Sequence, residues 1–220
     1  MKYLAVVFDL DGVIVDTEPV SRDGWRYAFK KMGLEFEDRV FFKLIGLTSE
    51  KIKDIFKQEY GREFSYKQAR GLRHEYIHEY VKKNGIGIKP GIFELLDFLG
   101  EHGICCAVAT STSREYARRK MIRAGIKDRF DTVVCGDEIE NGKPAPDIFL
   151  EASDNLGVEP EKCLVIEDSE NGVRAAYAAG MDVIMVPDLR EPDEKIRQMV
   201  WKVLPSLYDV IPFLQQENHS

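Results

Sequence analysis

Only four of the 220 residues are cysteine, and no two of them are spaced Cys-x-x-Cys. Neither a cysteine-type zinc site nor a disulfide framework is therefore indicated. Cys105 and Cys106 are adjacent in an apolar run while Cys135 and Cys163 stand alone, and all four read as buried thiols of a reducing compartment. Long apolar runs are missing as well: no uncharged stretch approaches the roughly 18 residues that a membrane-spanning helix needs. Positive charge is in deficit, with 31 Lys and Arg against 38 Asp and Glu, a formal net charge of −7 that argues against a broad nucleic-acid surface. A signal-peptide pattern is absent too, because Met1-Lys2-Tyr3 runs straight into the first apolar segment, and a cytoplasmic location is the default expectation. What is there is ordinary globular composition, 44% hydrophobic and 31% charged, with chain enough for one large domain or two small ones. Nothing in it sets an oligomeric state; a monomer is compatible with all of it.

The most informative stretch runs from Val6 to Thr17, almost at the start. Leu4 to Phe8 reads as a buried strand, its valines favouring extended backbone. It delivers two carboxylates, Asp9 and Asp11, whose spacing by two points both to the same side of an extended chain. Like charges so close repel, and a divalent cation is the simplest compensation. Gly12 lets the backbone turn sharply and come near a ligand. An acidic turn after a strand would look the same, so the remainder of the chain decides.

From about Glu18 to Gly87 the periodicity is helical. Trp25, Ala28, Phe29 and Met32 form one apolar face that Gly33 ends, and Ile52, Ile55, Phe56 and Tyr60 form another, followed by Leu72, Tyr76, Ile77 and Tyr80. Residues 84–91, rich in Gly and closed by Pro90-Gly91, form a hinge. Thereafter strand and helix alternate: helix at Ile92 to Leu99, strand at Ile104 to Ala109, a helix closed by Gly125 and opened by a Thr112-x-x-Glu115 capping box, strand at Thr132 to Cys135, helix at Pro146 to Leu156, strand at Cys163 to Ile166, helix at Gly172 to Ala179 and a last clear strand at Val183 to Val186. Leu207 to Leu214 is expected to pack at the sheet edge, and 215–220 to fray. This alternation predicts an α/β fold, a doubly wound parallel sheet covered on both faces. Right-handed crossovers then bring every strand's C-terminal end to one edge. Asp9 and Asp11, Thr110 and Ser111, and Glu167 and Asp168 all fall on that edge. The expected division is a core of 1–17 and 88–220, with an inserted helical lid of 18–87 hanging over the site.

Thr110-Ser111 offers hydroxyls and amides before a helix, as a phosphate cradle or as ordinary helix capping. Lys143 sits in Gly142-Lys143-Pro144-Ala145-Pro146-Asp147, a loop stiffened by two prolines. Glu167-Asp168 at a strand end offers carboxylate oxygens of the kind Mg²⁺ prefers. Taken in this order, with a helical insertion after the first strand, these motifs resemble the haloacid dehalogenase-like superfamily, in the branch with sugar-phosphate phosphatases and β-phosphoglucomutase. The resemblance spans nearly the whole length. It implies that Asp9 is the nucleophile that becomes an aspartyl phosphate and that Asp11 is the acid and base. It further implies that Thr110, Ser111 and Lys143 hold phosphoryl oxygens. Mg²⁺ would be held by Asp9, Asp168 and the Asp11 backbone carbonyl, with Glu167 orienting them. The implied substrate is a small phosphate monoester, and its identity is expected to rest on lid residues: Glu18, Ser21, Arg22 and the loop Gly46-Leu47-Thr48-Ser49. The β-phosphoglucomutase pattern carries a histidine where this chain has Ser21 and a lysine where it has Ile45, which favours phosphatase over mutase.

Two other readings compete. His74-Glu75-Tyr76-Ile77-His78 is an H-E-x-x-H string, with Glu94 and Glu101 downstream as third ligands of a zinc hydrolase. Its charged helical surroundings speak against a buried zinc cleft. A receiver domain also carries phosphoaspartate on a parallel sheet, but it would lack the helical insertion.

Overall fold

A computed structural model describes residues 2–189 and 191–217. Six parallel strands form one sheet in the order β3-β2-β1-β4-β5-β6. They are β1 (Ala5–Phe8), β2 (Cys105–Thr110), β3 (Thr132–Cys135), β4 (Cys163–Glu167), β5 (Asp182–Met185) and β6 (Lys202–Val203). Side chains alternate across the sheet as the period of two requires. Val6, Phe8, Cys106, Val108, Leu164 and Ile166 face one buried cluster, while Ala5, Val7, Ala107, Ala109, Cys163 and Val165 face another. Removing each such valine, leucine or isoleucine from water contributes about 1.5–3 kcal/mol, so the central strands anchor whatever hangs from their ends.

Helices α1 (Glu18–Lys31), α2 (Asp38–Leu44), α3 (Ser49–Tyr60) and α4 (Tyr66–Asn84) come between β1 and the next core helix, α5 (Ile92–Glu101). They carry their own aromatic cluster, with Trp25, Phe29, Phe41 and Phe56 buried together. The chain leaves and re-enters the sheet region side by side. The Asp16 amide donates to the Gly87 carbonyl at 3.0 Å, the Lys89 amide to the Ile14 carbonyl at 3.0 Å, and Val15 bridges Ile88 antiparallel. After β2 follow α6 (Arg114–Arg123), α7 (Asp147–Leu156), α8 (Glu170–Ala178), the short α9 (Glu194–Arg197) and α10 (Val210–Glu217).

Several expectations need correction. Leu4 is 49% exposed and lies outside β1. The seven-residue α2 and two-residue β6 are too short to show a period, and neither is visible in the sequence pattern. Leu207, Val210 and Leu214 pack in the same cluster as α5, on a face of the sheet, and β6 forms its edge. Helix α10 continues through Glu217; of the stretch expected to fray, residues 218–220 lie outside the described residues. The four cysteines are free thiols, and burial pushes Cys106 up to about 12, leaving it an inert core side chain. Among the described residues no helix is long and apolar enough to cross a membrane.

Candidate active site

Strands β1, β2 and β4 end side by side; Asp9 after β1 and Thr110 and Ser111 at the end of β2 line a cavity of about 460 Å³, while Glu167, Asp168 and Lys143 lie outside its lining. Asp9 follows β1 and is 7% exposed, Thr110 ends β2 at 1%, Glu167 ends β4 at 0%, and Asp168 follows it at 7%. Lys143 reaches in from the loop before α7 and is wholly buried. Its Nζ donates to Asp9 Oδ1 at 2.5 Å, to Glu167 Oε1 at 2.5 Å and to the Ala109 carbonyl at 3.1 Å. An unpaired ammonium at that depth would be prohibitive, so the two carboxylates are what allow the lysine to be there. Burial would lower its pKa, but Asp9 and Glu167 outweigh it and hold Lys143 above its ordinary value, firmly protonated. Asp9 answers to the same balance. Burial pushes it up, Lys143 pulls it down, Glu167 and Asp11 push it up again, and it comes to about 7. Among the described residues Asp9 Oδ2 accepts no hydrogen bond, so one oxygen is fixed and the other is open.

Glu167 Oε2 is saturated by local donors: the amides of Asp168 and Ser169 and the Ser169 hydroxyl, each at 3.0 Å. With its other oxygen on Lys143, Glu167 is an orienting group. Asp168 differs. Burial raises its pKa well above the ordinary value, and Glu167, Asp9, Glu18 and Asp188 raise it further, with no cation among the causes. The backbone at Gly12 makes room for it, since a Cβ there would lie 2.2 Å from Asp168 Oδ2, and Gly12 adopts φ +89°. A buried carboxylate crowded by carboxylates and, among the described residues, lacking a basic partner fits a divalent cation. Among the described residues no three His, Cys, Asp or Glu side chains cluster as a full metal shell. Two carboxylates, backbone oxygen and water are the set that suits Mg²⁺, which keeps several waters.

Asp11 points toward α6. Lys120 Nζ and Thr17 Oγ1 both donate to its Oδ1, and Thr112 Oγ1 donates to Oδ2 at 2.7 Å. Burial would raise its pKa, but Lys120 and the three hydrogen bonds outweigh it and hold Asp11 below the ordinary carboxylate range. Its carboxylate is thus engaged with protein donors and is separate from the Asp9–Lys143–Asp168 group. Lys120 and Thr112 join Asp11 in the candidate site, and the sequence reading missed both. Thr112 was expected to cap α6. Instead Ser113 occupies the N-cap without a side-chain bond, and the Arg114 amide is met by Asp137 Oδ1 at 2.9 Å. Glu115, the other half of that box, pairs with Arg119.

Thr110 and Ser111 do not cap the helix either. Thr110 Oγ1 accepts from the Thr112 amide at 3.1 Å, and Ser111 Oγ donates to the Gly46 carbonyl at 2.9 Å. Gly46 and Leu47 therefore meet the sheet edge and line the cavity with Ser49, Glu18 and Ser21. Thr48 approaches Gly142 instead. Glu18 is pushed up to about 7, chiefly by burial and then by Asp11, against the pull of Arg73 and Lys120. Ser21 Oγ accepts from Arg73 at 2.7 Å. Among the described residues Arg22 is not part of the cavity lining, and its Nε is buried without a partner. Both H-E-x-x-H histidines line the cavity but meet different partners: His74 meets the Tyr116 hydroxyl at 3.1 Å, while the exposed His78 faces Glu79 at 3.3 Å. Burial, reinforced by Arg73, Arg70 and Lys120, lowers His74 to about 4. Its neighbours are cations and a phenol rather than the carboxylates Glu94 and Glu101.

Carboxylates and a buried lysine are thus gathered at the C-terminal edge of a parallel sheet, next to the helices inserted after β1. Residues 6–186 match the haloacid dehalogenase-like hydrolase family, and the chain belongs to that family. It is 34% identical over 184 residues to a phosphorylated carbohydrates phosphatase of Thermotoga maritima, covering 82% of this chain and 83% of that protein. It is 29% identical over 185 residues to a fructose-1-phosphate phosphatase of Escherichia coli, covering 84% and 97%. A crystal structure of β-phosphoglucomutase from Clostridium difficile superposes with a TM-score of 0.82 at 25% identity, covering 99% of this chain and 97% of that one. The chain is a phosphoric monoester hydrolase of this family.

Proposed function

We propose that the chain hydrolyses small phosphate monoesters, sugar phosphates foremost, with Mg²⁺ and through an aspartyl phosphate on Asp9. The observation that carries the reading is the Asp9 carboxylate itself, pinned through Oδ1 to Lys143 and open at Oδ2 at the floor of the cavity. Asp9 Oδ2 attacks phosphorus in line, the phosphorus–oxygen ester bond breaks, and the departing oxygen takes a proton from Asp11. Asp11 must first leave Lys120, turn toward Asp9 and take up that proton from water, because against Lys120 it stands as a carboxylate. Water then attacks the aspartyl phosphate, Asp11 takes its proton, and the Asp9 carboxylate and inorganic phosphate are regenerated. Thr110 and Lys143 hold the phosphoryl oxygens, Lys143 as a fixed positive charge in a water-poor site. The Asp9 and Asp168 carboxylates and the Asp11 backbone carbonyl would hold Mg²⁺, which supplies neutralisation of phosphoryl charge. Residues 18–87 form a cap over a core of 1–17 and 88–220, and the cap loop Gly46–Ser49 sets substrate choice.

Leu47 tests the cap's part in this. Leu47→Arg is expected to change the preference among sugar phosphates by about tenfold or more while p-nitrophenyl phosphate hydrolysis stays within about twofold. Equal losses on both would make the loop structural.

The structural likeness to β-phosphoglucomutase gives phosphomutase as the second reading. A mutase must keep water from the aspartyl phosphate and seat a second sugar, which takes additional cap groups. Here Ser21 is occupied by Arg73, and the aliphatic Ile45 stands before Gly46. Supplied with β-glucose 1-phosphate and a trace of the bisphosphate, the protein is expected to release phosphate faster than it forms glucose 6-phosphate. The opposite order would establish the mutase.

A further inference from the structure

Helix α3 puts one lysine of the cap onto the loop that carries Lys143. Lys51 Nζ donates to the carbonyl oxygens of Gly142 at 2.6 Å and of Lys143 at 2.8 Å. Those carbonyls belong to the two peptide units on either side of the Lys143 α-carbon. Holding both sets the direction in which the Lys143 side chain leaves the backbone. Its far end is set separately, by Asp9, Glu167 and the Ala109 carbonyl. The Gly142 carbonyl has one other donor, the Ala145 amide at 3.3 Å, and among the described residues the Lys143 carbonyl has none. Lys51 itself pairs with no carboxylate among the described residues, so its charge is directed at these two oxygens.

The approach is close enough that a side chain at Gly142 would force Thr48 to shift. A Cβ at Gly142 would lie 2.4 Å from Thr48 Cγ2. Two more hydrogen bonds dock the same cap loop, from Ser111 Oγ to the Gly46 carbonyl at 2.9 Å and from Asn171 Nδ2 to the Ile45 carbonyl at 3.1 Å. Neither touches Lys143 or its carbonyls.

We propose that Lys51 is a positioning residue for Lys143: the cap, when it rests on the core, grips the backbone of the lysine that holds the phosphoryl group. The inference rests on the phosphatase reading above and adds to it. Closure does more than cover the substrate; it completes the alignment of a catalytic side chain. Because Lys143 works on the transferring group, an ungripped Lys143 slows the chemical step even with substrate bound. Loss of a contact that only docks the cap weakens binding instead.

The test compares the full chain with Lys51→Met, Lys51→Arg, Gly142→Ala and Asn171→Ala, using the sugar phosphate the wild type turns over fastest. Lys51→Met is expected to lower kcat by about 10- to 100-fold, the scale of an ångström-level misplacement, with KM within about threefold. Gly142→Ala should show the same kcat loss, since it pushes Thr48 and the cap loop away. Lys51→Arg keeps charge and donors and should recover kcat to within about threefold of wild type. Asn171→Ala should raise KM and leave kcat within about twofold. A Lys51→Met kcat within about twofold of wild type, or one matched by Asn171→Ala, overturns the inference and leaves the phosphatase reading intact. A wild type that releases no phosphate overturns both.

Discussion

Asp9→Asn is expected to reduce phosphate release by about 10⁴-fold or more, because the amide cannot form the acyl phosphate that divides the reaction into two steps. Folding should survive the change. Asparagine is nearly isosteric, and its Oδ1 can still accept from Lys143. The variant should therefore melt near the wild type while being inert, and a thermal melt run beside a phosphate-release assay checks both. Near-wild-type turnover would remove Asp9 from the chemistry, and with it the account of the site.

Lys143→Met should be as damaging in a different way. The ammonium is the only cation hydrogen-bonded to Asp9 and to Glu167 among the described residues, and it is wholly buried. Removing one partner of a buried ion pair costs about 3–5 kcal/mol, because the carboxylates left behind have lost their compensation. For a chain of this size that corresponds to a fall in Tm of roughly 6–20 °C. Activity should fall by about 10³-fold or more, since no fixed charge then meets the phosphoryl oxygens. A variant with wild-type Tm but no activity would show that the lysine acts on substrate without holding the site together. One that keeps activity would contradict its placement against the phosphoryl group.

What the sequence made legible follows from where each residue sits. Asp9, Thr110, Glu167 and Asp168 are the residues that end β1, β2 and β4 or directly follow them, and a buried parallel strand announces itself by its apolar run. Strand ends in a parallel sheet share an edge, so their convergence could be derived. Lys120 could not. It meets Asp11 across 109 positions of sequence, and only the angle of α6 over the sheet brings them together. Lys51 reaches the Lys143 loop from 92 positions away for a similar reason, through the pose of α3. Thr112 was misread because two partners compete for its hydroxyl. A buried carboxylate makes the stronger hydrogen bond, so Thr112 goes to Asp11 and Asp137 takes over at the helix start. Helix α4 misled in its periodicity: its only fully buried side chain is Ala69. Arg70, Arg73, His74 and Ile77 line the cavity instead, and a face turned to a substrate space need not be apolar.

The most direct measurement is phosphate release by the wild-type protein from a panel of sugar phosphates and p-nitrophenyl phosphate, with Mg²⁺, with chelator, and with Mg²⁺ restored. Several small monoesters are expected to turn over, with an activity that disappears on chelation and returns with the metal. A folded protein that releases no phosphate from any of them in the presence of Mg²⁺ would contradict the phosphatase reading.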